Sequence, residues 1–231
     1  MYKRQIRRGA TEVCLQGGIH PKFDGNYYLD VIKAIRKVSL DIHIHAFSPL
    51  EIFQGAQTLG LTVEEYLPIL KEAGLNSLPG TAAEILHDDV RDIICPDKLN
   101  TAEWLSVMDA AHSCGLKSTA TIMFGHVETY DHIAEHLINI KNQQIKSGGF
   151  TEFVPLNFVH SEAPMYKHQL HEGIQQGGSG NDVLLTHAIA RIMFNNTIDN
   201  IQMSWVKEGQ KMSQLLLMWG ANDFGGTILV P

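Results

Sequence analysis

The stretch Thr11–Pro21, TEVCLQGGIHP, decides how the rest of the chain is read. Val13-Cys14-Leu15 is a short apolar run of strand length, and it ends at the pair Gly17-Gly18, as strand-to-helix turns in α/β proteins do. Downstream, Tyr27 to Lys37 carries Leu29, Ile32 and Ile35 at helical spacing, so one strand is followed by one helix. In LDIHIHAFSP, Ile42 and Ile44 fall on one strand face and His43 and His45 on the other, because strand side chains alternate. Thr62 with Glu65 three residues on forms a capping box, and Gly74 stops the helix between them. The same signals predict a helix opening at Thr81 with Glu84 in the capping position, and further helices at Thr101–Ser113, Asp131–Ser147, Val183–Asn195 and Gly209–Trp219. Strands are expected at Val13, Ile42, Leu75, Thr119, Phe153, Ile201 and Asp223. Strands alternating with helices mean a parallel sheet, and seven of them approach the eight of a closed (β/α)8 barrel of the TIM type. The chain is therefore expected to be one α/β domain over residues 1–231, an incomplete barrel with a first strand and a last helix wanting.

Composition narrows the function. At 231 residues and 44% apolar content the chain can bury a full core. A net charge of −7 argues against nucleic acid, whose phosphates demand clustered Lys and Arg, and no apolar stretch reaches the length of a membrane span. No targeting segment is visible. The three cysteines, Cys14, Cys95 and Cys114, are odd in number and far apart, which offers neither a disulfide framework nor a metal knuckle and favours a reducing, cytoplasmic setting.

Several of the twelve histidines lie at the ends of predicted strands, where barrel chemistry is placed. His43 and His45, with His126, His160 and Asp223 on later strands, have the residue types of an amidohydrolase-like metal site; alternatively they are hydrogen-bonded residues lining a pocket. Gly17-Gly18 is either a tight turn or a bare backbone against which a polar ligand lies. Glu152 and Asn222 are candidate ligand-orienting groups near the last strands, and Ser48 stands at the end of the His-x-His strand. Met123, Phe124, Phe158 and Trp205 read as core.

Taken in order, GATEVCLQGGIHP, DIHIHAFSP, LNSLPGTAAEIL, TIMFGHVET, GGFTEFVPLNFVH and GANDFGGT resemble the radical S-adenosylmethionine family. Within it, they are most similar to the FO synthase branch of deazaflavin (coenzyme F420) biosynthesis, with menaquinone-pathway aminofutalosine synthase and dehypoxanthine futalosine cyclase as relatives. The resemblance runs from about Gly9 to Thr227. It implies a 5′-deoxyadenosyl radical that acts on L-tyrosine, with transfer of a 4-hydroxyphenyl (4-hydroxybenzyl) group to 5-amino-6-(D-ribitylamino)uracil. FO synthase subunit 1, separate or fused, is the implied partner. The cofactors implied are S-adenosylmethionine, held by Gln16, Gly17 and Gly18 with Thr81 and Glu84 near its ribose, and a [4Fe-4S] cluster on a Cys-x3-Cys-x2-Cys loop. His43, His45, Ser48, His126, Glu152, His160 and Asn222 would line the substrate cavity.

The chain holds no such cysteine motif. It is accordingly expected to resemble a family member shortened at both ends, without the first strand and cluster loop, not binding the cluster and not catalytic alone. A metal hydrolase using the histidines and Asp223, and a barrel that binds a ligand without catalysis, remain the other readings.

Overall fold

A computed structural model describes residues 2–226. The elements run α1 (Tyr2–Arg7), β1 (Glu12–Leu15), α2 (Gly25–Arg36), β2 (His43–Ala46), α3 (Pro49–Thr58), α4 (Val63–Ala73), β3 (Ser77–Leu78), α5 (Asp88–Ile94), α6 (Thr101–Ser113) and β4 (Lys117–Phe124). They continue with α7 (Tyr130–Ser147), β5 (Phe150–Asn157), the short α8 (Pro164–Lys167), α9 (Gly180–Phe194), β6 (Asn200–Ile201) and α10 (Trp205–Met218). The six strands form one sheet in chain order, with parallel pairing at β1–β2, β2–β3, β3–β4 and β5–β6. Each strand lies beside its predecessor in sequence, which is the winding of a β/α barrel and differs from the reversed order of a doubly wound sheet. No described helix is long and apolar enough to cross a membrane.

Contacts divide the chain into two compact units, residues 2–82 with 104–118, and Ala83–Glu103 with Thr119–Gly225. In the first, Ile44 and Ala46 of β2 and Leu78 of β3 are fully buried on the sheet face covered by helices. Tyr28, Ile32 and Ile35 of α2, Ile52 of α3, and Tyr66, Leu67 and Leu70 of α4 supply the rest of that core. The helices approach closely at Gly25, where a Cβ would stand 2.5 Å from the Gly55 carbonyl, and Tyr66 donates its hydroxyl to the Gly25 carbonyl at 2.6 Å. The opposite sheet face carries Glu12, Cys14, His43, His45 and Ser77, so the alternation in the sequence separates an apolar outer face from a polar inner one. In the second unit Ile122 and Phe124 of β4, Phe153 of β5, Leu137 and Ile140 of α7, and Phe194 of α9 form the core.

Both units contain the same small device. Arg36 of α2 donates to the Gly74 carbonyl at 2.5 Å and to Asn76 Oδ1 at 2.6 Å, while Asn76 Oδ1 also accepts the Ile44 amide of β2 at 2.8 Å. Arg191 of α9 donates to the Gly220 carbonyl at 2.7 Å and to Asn222 Oδ1 at 2.7 Å, and Asn222 Oδ1 accepts the Ile201 amide of β6 at 2.8 Å. In each case a Gly-x-Asn segment, ahead of β3 in one unit and of Asp223 in the other, is clamped to the strand before it.

Two sequence expectations are corrected. No helix opens at Thr81: Ala82 and Glu84 have φ of 59° and 47°, and the buried Arg91 guanidinium draws in the carbonyls of Ala83, Ile85 and Leu99. Those carbonyls are satisfied by a side chain, so the segment has no need of helical hydrogen bonds, and the helix is delayed to Asp88. The seventh strand, at Asp223, shrinks to a single parallel bridge with Gln202. The helix expected from Gly209 is present: α10 is broken at Gly209 by a non-helical φ of 75°, with a short helical turn from Trp205 before the break and the expected helix after it. The closing residues 227–231, where a final helix was expected to be wanting, lie outside the described residues.

Candidate functional site

The Gly17-Gly18 turn is held by a residue that the sequence reading passed over. Ser48 caps α3, which opens with Pro49, and the carboxylate of Glu51 three residues on completes a capping box. Glu51 is 1% exposed. Its Oε2 accepts the Ser48 amide and the Ser48 hydroxyl, each at 2.8 Å, and its Oε1 accepts the Gly17 amide at 3.0 Å. One carboxylate thus joins the start of α3 to the turn after β1. Ser48 serves that cap. The Ser-Pro-x-Glu pattern was the available signal, since it has the form of a helix start.

Gly18 needs its glycine for a φ of 68°. Gly17 does not: a Cβ there would meet only Glu51 Oε1, at an ordinary 3.6 Å, so the fold leaves room for a side chain that the sequence withholds. The turn is exposed, and Gln16 beside it reaches Cys14 Sγ at 3.9 Å.

His43 and His45 share a face as expected, and both turn to a third residue. Ser77 Oγ lies 2.7 Å from His43 Nε2 and 2.7 Å from His45 Nδ1. Glu12 Oε2, across the β1–β2 register, is 3.8 Å from His43 Nε2. Burial, and secondarily the neighbouring His43, brings the His45 pKa down to about 4, so the ring is neutral at pH 7. Ser77 gave no signal in the sequence because its partnership arises from the β2–β3 register.

Thr81 and Glu84 do not form a cap. The Thr81 carbonyl accepts Trp104 Nε1 at 3.2 Å, while its buried Oγ1 has no hydrogen-bond partner. Glu84 is paired with Lys98 Nζ at 2.8 Å.

In the second unit His126 is fully buried in the loop after β4, with Nε2 3.0 Å from the Met123 carbonyl and Nδ1 2.8 Å from the Val127 amide. Nδ1 is also 3.0 Å from Glu128 Oε2. The Val127 amide needs a lone pair on Nδ1, and burial lowers the His126 pKa against the raising influence of Glu128, so the ring is neutral and Nε2 carries the proton. Glu128 spends its carboxylate on the amides of Gly125 and His126. Beside this loop lies a cavity of about 240 Å³ bounded by Phe124, Thr129, Tyr130 and Asp182, and none of the residues nominated from the sequence lines it.

Glu152 on β5 accepts from Gln202 at 3.0 Å. His160 Nδ1 donates to the Gln176 carbonyl at 2.6 Å, and its ring packs edge-on against Tyr166. Asp223 accepts the Gly225 amide at 2.6 Å, and Asn222 is occupied in the clamp with Arg191. Among the described residues no group of three His, Cys, Asp or Glu side chains is arranged to hold a metal ion. Of the cysteines, Cys14 is exposed on β1, Cys95 is buried after α5, and the Cys114 thiol donates to the Ala111 carbonyl.

Comparison with known proteins gives two family matches, the Radical SAM superfamily over residues 1–138 and the CofH/MqnC C-terminal region over residues 147–230. The chain is 52% identical over 224 residues to the 5-amino-6-(D-ribitylamino)uracil–L-tyrosine 4-hydroxyphenyl transferase of Methanothermobacter thermautotrophicus, covering 96% of this chain and 60% of the relative. It is 52% identical to the protein of that name from Methanocaldococcus jannaschii, over 96% of this chain and 62% of the relative. To the one from Archaeoglobus fulgidus it is 50% identical, over 97% and 64%. The chain thus spans a little over 60% of the length of these relatives. Among solved structures, Elp3 of Methanocaldococcus infernus with an N-terminal deletion superimposes with a TM-score of 0.63 over 94% of this chain and 56% of its own, at 9% identity, a likeness of fold alone.

Proposed function

The chain belongs to the radical SAM superfamily, and we propose that it is the part of a radical transferase that binds S-adenosylmethionine and substrates during transfer of the 4-hydroxyphenyl (4-hydroxybenzyl) group of L-tyrosine to 5-amino-6-(D-ribitylamino)uracil. The observation that carries this reading is the 52% identity, spread over 96% of the chain, to a relative bearing that transferase name.

The superfamily implies S-adenosylmethionine and an iron-sulfur cluster, which together supply a carbon radical for hydrogen abstraction. The three cysteines present, Cys14, Cys95 and Cys114, lack the Cys-x3-Cys-x2-Cys spacing and do not fit the cluster. The residues do fit S-adenosylmethionine. Gly17 lacks a side chain that its surroundings would accommodate, which lets a polar ligand reach the turn, and Glu51 fixes the turn's geometry. The orphaned Thr81 Oγ1 is a buried hydroxyl in want of a partner, suited to a ribose hydroxyl. For the substrates, the polar inner face at Glu12, His43, Ser77 and His45 offers directional hydrogen bonds beside that turn's strand. FO synthase subunit 1 is proposed as the partner that takes up the product.

The test is a chimera in which this chain replaces the matching segment of the M. thermautotrophicus relative. Assayed anaerobically with both substrates, the chimera is expected to form the tyrosine-dependent uracil adduct detected by mass spectrometry. A chimera that folds and binds S-adenosylmethionine yet forms no such adduct would refute the reading.

A further inference from the structure

The polar groups on the inner face of the first unit stand in a file whose protons the geometry assigns. Glu12 of β1 lies opposite His43 of β2, and His45 lies opposite Ser77 of β3. Ser77 Oγ is 2.7 Å from one nitrogen of each ring. A hydroxyl has a single proton, so Ser77 donates to one imidazole and accepts an N–H from the other. The carboxylate of Glu12, 3.8 Å from His43 Nε2, decides which. Negative charge at that range favours an N–H over a lone pair on the facing nitrogen. The proton therefore sits on His43 Nε2, which donates to Ser77; Ser77 donates to His45 Nδ1; and neutral His45 carries its own proton on Nε2.

The surroundings support this arrangement. Cys14, paired with His45 across β1–β2, opens one side to solvent, but the protein packed around its sulfur and, secondarily, the Glu12 charge raise its pKa, so it stays an uncharged thiol. Burial holds His45 neutral, so its Nδ1 is not reprotonated near pH 7. Among the described residues the only hydrogen bond of His45 is the one at Nδ1, which leaves Nε2–H without an acceptor among them.

We propose that His45 is a fixed hydrogen-bond donor, its tautomer set by Glu12, His43 and Ser77, and that its Nε2–H binds an anionic or conjugated carbonyl oxygen of a small-molecule substrate. A metal ion requires a lone pair at that nitrogen, so the same tautomer turns the His-x-His pattern from ion binding to oxygen recognition. The ligand assignment rests on the functional reading above, where such an oxygen comes from the carboxylate of L-tyrosine or a ring carbonyl of the aminouracil. The tautomer assignment does not.

The experiment is long-range proton–nitrogen correlation NMR on this chain labelled with 15N-histidine. At pH 7, His45 is expected to show a pyrrole-type Nε2 and a pyridine-type Nδ1; the reverse pattern overturns the proposal. Glu12→Gln, at a half-exposed side chain, removes the deciding charge without disturbing the core, and it is expected to raise the opposite tautomer several-fold. Unchanged populations would show that Glu12 does not set the tautomer. Titration with L-tyrosine and with the aminouracil separately identifies the oxygen's source by which one moves the His45 Nε2 signal. For that ligand, His45→Gln, which keeps a donor at the same reach, is expected to stay within about threefold of the parent affinity, whereas His45→Leu loses about tenfold. If neither ligand moves the signal, the ligand assignment falls, while the chimera assay judges the functional reading independently.

Discussion

Replacing Glu51 with glutamine tests whether one buried carboxylate shapes the Gly17-Gly18 turn. The carboxylate accepts three hydrogen bonds, two from Ser48 at 2.8 Å and one from the Gly17 amide at 3.0 Å. An amide offers one oxygen. If that oxygen keeps Ser48, the new NH2 faces the Gly17 amide, donor against donor, and the two Ser48 bonds lose their charge assistance. Loss of a charge-assisted bond costs about 1.5–3 kcal/mol, and weakening of the other two adds about 1 kcal/mol. Solvent at the exposed turn recovers part of this by hydrating Gly17, so the expected destabilisation is about 3 kcal/mol. For a chain of this size, that lowers the midpoint of thermal unfolding by roughly 6–12 °C. Urea unfolding measures the loss, and amide hydrogen exchange locates it: protection at Gly17 should fall by more than at the α4 core amides Leu67 and Leu70. A change below about 0.5 kcal/mol with Gly17 protection intact would refute the claim that Glu51 holds the turn.

Stability should also depend on acid. Burial brings the pKa of His112 to about 4 and that of His136 to about 3, against an ordinary value of 6.5. In that window the unfolded chain binds protons that the folded chain refuses, so stability rises with pH and is lost as pH falls from 6.5 towards 4, at up to roughly 1.4 kcal/mol per pH unit for each histidine. Urea unfolding at pH 7 and pH 5 should give a distinctly lower value at pH 5, and equal values would contradict the burial of these rings. The two Arg–Asn clamps make a paired forecast. Asn76→Ala and Asn222→Ala each strip a strand amide and an arginine of their acceptor, and each should cost about 1–3 kcal/mol by chemical denaturation. If Asn222→Ala left stability unchanged while weakening substrate binding, its place would be in the substrate cavity and not in the clamp.

Much of the fold was legible because its signals are local. The alternation in DIHIHA, the capping box at Thr62 and the left-handed stop at Gly74 each act within a few residues, and the local pattern reports them directly. The side of the sheet on which His43 and His45 lie follows from that alternation. Thr81–Glu84 misled for the complementary reason: it has a capping pattern, but a buried arginine seven residues beyond Glu84 claims the carbonyls that a helix would use. Glu51 was within reach, since Ser48-Pro49-Leu50-Glu51 is a helix start, yet its bond to Gly17 spans 34 residues and exists only once β1 and β2 are paired.

The sequence by itself therefore determined the α/β alternation, the apolar and polar faces of β2 and the family to which the chain belongs, because these depend on side-chain order along the chain. Tertiary structure alone decided which polar groups meet. The joining of His43 and His45 through Ser77, the enclosure of His126 by its own loop, and the diversion of Asn222 into a clamp with Arg191 all depend on strand register and burial. Those are distances across the sheet, and they determine whether a histidine keeps its proton, gives up its lone pair or is left free to meet a ligand.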